Sequence, residues 1–130
     1  MSSFADLPLV LTPGEPAGVG AEIALKAWRD ATSPLFFLID DPERVRRVAY
    51  QAGLDIPTTI IERPSGARDA SAAGLPILPC QTPLDTKPGQ PDPSTAPAVI
   101  GAIRDAVAMA VAGDVAAVVT NPIHKNTLHQ

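Results

Sequence analysis

At 130 residues the chain has the length of about one domain, enough to bury a core, and with aromatics at only 4% that core must come from closely packed Val, Ile, Leu and Ala. Such a composition, 45% hydrophobic, excludes a disordered chain and suits helices laid on a sheet. The formal net charge of −4, without a block of like charges, leaves no footprint for nucleic acid. No uninterrupted apolar run of about eighteen residues and no basic-then-apolar leader is legible, so neither membrane nor nucleic acid is expected as a partner and a cytoplasmic location is.

In chain order, Leu9-Val10-Leu11-Thr12 reads as an apolar strand entering the turn Pro13-Gly14-Glu15-Pro16-Ala17-Gly18-Val19-Gly20, and then a helix. A helix start carries unpaired N–H groups and partial positive charge, so a glycine-lined approach to it suits a phosphate. The plainer alternative is that Gly and Pro stand here only for the backbone angles they allow. The helix, over 21–30, is expected to turn Ile23, Ala24, Ala27 and Trp28 inward. Leu35 to Ile39, short and wholly apolar, predicts a strand buried on both faces of a parallel sheet.

Asp41-Pro42-Glu43 gives an N-cap, a first-turn proline and a first-turn acid for a helix running through Val45, Val48 and Ala49 to Gly53. Thr58 to Ile61 and Leu75 to Cys80 read as strands, separated by a small polar stretch from Pro64 to Gly74. Gln81 to Pro97 reads as an extended loop. Ser94 or Thr95 can cap a helix in which Ile100, Ile103, Val107 and Val111 recur at helical spacing up to Gly113, and Val115 to Thr120 is a last strand. This alternation predicts an α/β fold, a mainly parallel sheet with helices on both faces and right-handed crossovers.

Ligands in such sheets sit beyond the carboxyl ends of strands. There the segment Thr120-Asn121-Pro122-Ile123-His124-Lys125 offers a hydroxyl, an amide, an imidazole and an ammonium, all partners for phosphate or carboxylate, although a strand end, a turn and a solvated helix start would read the same way. A dinucleotide fingerprint is tested by Asp40 and Asp41 at the end of the second strand, but the glycines run Gly-x-x-x-Gly-x-Gly and Asp41 is already needed as a cap. A P-loop would need lysine and a hydroxyl after Gly20. His124 and His129 lack the i, i+4 spacing of a helical zinc pair, and the single Cys80 reads as an inert thiol.

Taken together, the segments 11–20 and 118–125 resemble the amino-terminal signatures of the 4-hydroxythreonine-4-phosphate dehydrogenase family of pyridoxal-phosphate biosynthesis. The resemblance covers essentially the whole chain, which is similar to the first two-fifths or so of a family member, so residues 1–130 are expected to be the amino-terminal α/β portion of a larger dehydrogenase. It implies the isocitrate/isopropylmalate dehydrogenase-like fold, a homodimer, and NAD- or NADP-dependent oxidation of a small phosphorylated substrate followed by decarboxylation. A divalent metal (Zn, Mg or Co) is implied too, bound by residues outside this chain.

By position in the motifs, His124 and Lys125 are the substrate-side candidates and Gly14, Glu15, Gly18 and Gly20 the cofactor-side candidates. The family's phosphate-binding Gly-His-Thr-Glu segment and its metal-binding histidines would follow Gln130, so the 130 residues alone are expected to lack turnover. D-threonate or D-erythronate 4-phosphate is the alternative substrate. A noncatalytic phosphate-binding or dimerising module is the alternative from another class.

Overall fold

In the computed structural model, residues 6–14, 19–80, 84 and 93–121 are described. Nine elements alternate along them: β1 (Leu9–Thr12), α1 (Gly20–Arg29), β2 (Phe36–Asp40), α2 (Pro42–Gln51), β3 (Thr58–Ile60), α3 (Ala67–Ser71), β4 (Leu75–Pro79), α4 (Ala96–Ala112) and β5 (Ala117–Thr120). The strands form one parallel sheet in the order β3-β4-β2-β1-β5. Steps from β1 to β2 and from β2 to β3 cross the sheet in one direction, and the next two steps return. Right-handed crossovers therefore put α1 and α2 on one face and α3 and α4 on the other.

Packing follows that division. Leu38, Phe36, Leu75 and Ile77 meet Ala24, Leu25, Val45 and Ala49 on the first face, while Val10, Phe37 and Ile39 meet Ala67, Ala102 and Ala106 on the second. All five residues of β2 are buried, because this strand lies mid-sheet with helices above and below. Asp41 accepts a hydrogen bond from the Glu43 N–H at the head of α2, and Gly53 and Gly113, at φ +70° and +82°, end α2 and α4 in the left-handed turn that glycine permits.

Four expectations change. The stretch from Pro64 to Gly74 folds into a 3-10 turn (Pro64–Gly66) and the short α3, elements whose alanines and polar residues give no apolar period to read. In α1 Ala24 is buried and Ala27 and Trp28 pack against the core as expected, Ala21 and Leu25 join them, and Ile23 alone of the expected face is turned out, 46% exposed. In α4 the inward face is Ala96, Val99, Ala102 and Ala106, whereas Ile100, Val107 and Val111 point outward: small side chains let the helix lie close on the sheet. The expected loop to Pro97 gives way to helix, since Pro93–Thr95 is a 3-10 turn and α4 starts at Ala96; residues 81–83 and 85–92 lie outside the described ones.

Thr95 stands at the α4 N-cap position, without a capping bond from its side chain. The segment Pro93–Ala112, with mean hydropathy 1.4, is long and apolar enough to cross a membrane, contrary to the reading of the sequence by uninterrupted runs. In the fold it carries the Ala102 and Ala106 contacts to the sheet, as a core helix does.

Candidate functional site

β1 and β5 are neighbours in parallel register, Thr12 opposite Thr120, so the two chain segments that leave these strands emerge side by side at the carboxyl end of the sheet. There the Asn121 side chain, on a residue only 6% exposed, donates from Nδ2 to the Thr12 carbonyl oxygen at 2.9 Å. This bond joins residues 109 apart in sequence and fixes the two strand ends to each other.

Gly20 makes that arrangement possible. A Cβ at this position would stand 3.0 Å from Asn121 Cγ and 3.0 Å from the Pro13 carbonyl oxygen, so the first residue of α1 must lack a side chain for the asparagine to seat. Gly14, at φ +68°, turns the chain out of the sheet in a conformation that costs an L-residue more than glycine. Val19 precedes α1 and has no side-chain oxygen to cap it, while Glu22 lies in the first turn. The head of a ten-residue helix thus stands over the β1–β5 junction with its partial positive charge. Beside the junction, on the α1 face, Leu9, Leu11, Ile23, Ala27, Val119 and Asn121 border a recess of about 230 Å³ that is apolar below the asparagine.

One polar atom in the corner stands alone. Thr12 is fully buried, and among the described residues its Oγ1 is the buried side-chain atom without a hydrogen-bond partner. A Thr closing an otherwise apolar strand was the sequence signal for it; the Asn121 contact could not be read without the strand register.

Of the residues singled out in the sequence, Gly14 and Gly20 flank this corner. Glu15, Gly18, His124 and Lys125 lie outside the described residues. The acids at the end of β2 are committed elsewhere: Asp40 takes Arg44 Nε at 2.9 Å and a second guanidinium N–H, and Asp41 accepts from the Glu43 N–H and, at 3.1 Å, from the N–H of the buried Leu84. Neither carboxylate is free for a ribose, which removes the dinucleotide fingerprint on physical grounds.

Burial pushes the Asp40 carboxyl up, against the opposing pull of Arg44. Half-buried Cys80, at the end of β4, has its thiol pushed up to about 11, by burial first and then by the charges of Asp40 and Asp41, as expected of an inert thiol. Among the described residues no three His, Cys, Asp or Glu side chains come together to hold a metal. A roomier cleft, about 490 Å³, lies at the amino-terminal ends of the strands between Leu7, Leu35 and Gly113; Arg63, Arg68, Asp6, Asp69 and Asp114 line it, and the mixed charge favours no one ligand sign.

The family model described as pyridoxal phosphate biosynthetic protein PdxA matches residues 31–130. The chain belongs to this family. It is 43% identical over 128 residues to a 4-hydroxythreonine-4-phosphate dehydrogenase of Methylorubrum populi, covering 95% of this chain and 36% of that protein. To the enzyme of the same name from Bradyrhizobium diazoefficiens it is 39% identical, with 100% of this chain and 41% of that one covered.

The crystal structure of 4-hydroxythreonine-4-phosphate dehydrogenase from Klebsiella pneumoniae superposes with a TM-score of 0.82 at 28% identity, over 95% of this chain and 39% of that one. The chain therefore spans about two-fifths of the length of the PdxA proteins it matches. Its parallel sheet, with helices on both faces, has the isocitrate/isopropylmalate dehydrogenase-like fold of the PdxA dehydrogenases, as the sequence resemblance implied.

Proposed function

We propose that this PdxA chain supplies one wall of the cleft in a dehydrogenase that oxidises 4-phosphohydroxy-L-threonine with NAD or NADP and decarboxylates the product to 3-amino-2-oxopropyl phosphate, in pyridoxal 5′-phosphate biosynthesis. The observation that carries this reading is the Asn121 to Thr12 bond, which draws the two signature segments into one corner at the ligand-binding end of the sheet.

Within the corner the chain's work is to bind and orient. The backbone at Gly14 and Gly20 and the head of α1 form the cofactor side, and Glu15 and Gly18 of the same signature are assigned to the cofactor with them; open backbone and a positive helix end suit a dinucleotide phosphate. His124 and Lys125, which follow β5 in the chain, are assigned to the phosphate or carboxylate of the substrate as hydrogen-bonding and charged donors. The nicotinamide, when bound, takes up the hydride. A divalent metal, Zn, Mg or Co, would be held by residues other than the described ones, among which no three His, Cys, Asp or Glu side chains come together. A cytoplasmic homodimer is the form in which the full-length protein works.

The test is NADH formation by the full-length protein with added divalent metal, comparing 4-phosphohydroxythreonine with D-threonate and D-erythronate 4-phosphates. Preference for the amino-acid phosphate supports the reading, and preference for a sugar-acid phosphate replaces it. No turnover of any of them, with phosphate binding intact, leaves a noncatalytic phosphate-binding or dimerising module. In the active protein, Lys125→Ala should weaken the substrate term by about ten-fold or more through loss of a charged hydrogen bond.

A further inference from the structure

The cleft of about 490 Å³ at the amino-terminal ends of the strands plays no part in the dehydrogenase reading. Its charges come in both signs, and they do not satisfy one another. Arg46 and Glu43, exposed on α2, pair at 3.0 Å, but Arg63, Asp69 and Asp114, which line the cleft, make no ion pair and no side-chain hydrogen bond among the described residues. Arg68 is held by the Asp6 carbonyl oxygen, to which its Nη2 donates at 3.1 Å. The end of α4 is negative: Gly113 closes a helix of 17 residues with no basic side chain in its last turn, and Asp114 adds a full charge there. Both guanidiniums come from other elements, the 3-10 turn and α3, and Leu7, Pro8, Leu35 and Pro64 give the same cleft an apolar lining. An ion of one sign meets like charge in such a cleft, whereas a zwitterion with an apolar body finds a partner for each of its parts.

We propose that this cleft binds a free α-amino acid with an apolar side chain: its carboxylate on Arg63 and Arg68, its ammonium on Asp114 and the negative end of α4, and its side chain on Leu7 and Leu35. The site is separate from the β1–β5 corner, which lies at the other end of the strands, and it stands whether or not the dehydrogenase reading does.

The test follows Tm and amide chemical shifts of the full-length protein during titration with three probes: L-leucine, 4-methylpentanoate, which lacks the ammonium, and 3-methylbutylamine, which lacks the carboxylate. Leucine should raise the Tm and move the amides of Ser65, Arg68, Gly113 and Asp114 along one saturation curve. Each analogue has lost a charged hydrogen bond and should bind about ten-fold or more weakly than leucine. Arg63→Gln and Asp114→Asn, both at exposed positions, should leave the ligand-free Tm unchanged and weaken leucine by a similar factor. No leucine binding up to its solubility limit, binding of either analogue as tight as that of leucine, or leucine binding that neither variant weakens would each overturn the proposal. So would leucine-induced shifts at Gly14 and Gly20 in place of the cleft.

Discussion

Replacing Gly20 by alanine probes the corner most sharply, because two opposing effects are in play and their sizes decide the sign. Alanine is the better helix former by about 1 kcal/mol in a helix interior, and by less at a first helical residue. Against this, the new methyl would sit 3.0 Å from the Pro13 carbonyl oxygen and 3.0 and 3.1 Å from Asn121 Cγ and Cβ. Backbone on one side and a buried, hydrogen-bonded amide on the other leave it little room. Overpacking of this kind costs about 1–3 kcal/mol, and displacing Asn121 forfeits a buried hydrogen bond worth about 1 kcal/mol more.

Gly20→Ala should therefore destabilise by about 1–3 kcal/mol, read as a fall in urea midpoint at unchanged m-value and a Tm lower by several degrees. Asn121→Ala alone should cost about 1–2 kcal/mol, since the Thr12 carbonyl loses its donor. The double variant should be less destabilised than the sum of the singles by at least about 0.5 kcal/mol, because the amide that clashes is gone while the contacts to Pro13 and to the Cβ at 121 stay. A neutral or stabilising Gly20→Ala, or strict additivity of the pair, would refute the packing argument.

Two further outcomes concern the end of β2. Arg44→Leu should cost about 3–5 kcal/mol in an unfolding titration by stranding buried Asp40, whereas replacing both partners by apolar residues should restore most of the loss. Cys80, raised from 9.0 to about 11, should hold about 100-fold less thiolate near pH 8 than an unperturbed thiol, so alkylation should be slow and accelerate with pH up to about 11. Because the folded value lies above the unfolded one, the fold keeps this proton longer, and the thiol's contribution to stability is present below pH 9.0 and falls as pH rises toward about 11. Rapid alkylation at pH 8 would contradict this environment.

Much of the architecture was legible in the chain because its punctuation agrees with its hydrophobic runs. Asp41-Pro42 and Gly53 bracket α2, and the wholly apolar run at 35–39 could only be a strand covered on both faces. The inward face of α1 was legible for Ala24, Ala27 and Trp28 but not for Ile23, which faces out; in α4, where both sides are apolar, periodicity gives spacing without direction, and alanine packs inward while Ile100, Val107 and Val111 face out. The α3 segment offered no apolar period at all.

At the site, spacing and the family signatures pointed to Gly14, Gly20 and the segment after Thr120. What could not be read was the junction itself, since the bond from Asn121 to Thr12 exists only once β5 lies in register beside β1. The orphaned Thr12 hydroxyl is of the same kind, a property of enclosure that composition does not carry.

The central claim, that the ends of β1 and β5 form a single phosphate-accepting corner, is tested most directly by amide chemical-shift mapping during titration with inorganic phosphate and then NAD. The account predicts that Gly14, Gly20, Ala21 and Asn121 move together with one saturation curve. Shifts confined to Arg63, Arg68 and Gly113 at the opposite end of the sheet, or no shift at the corner at saturating ligand, would contradict it.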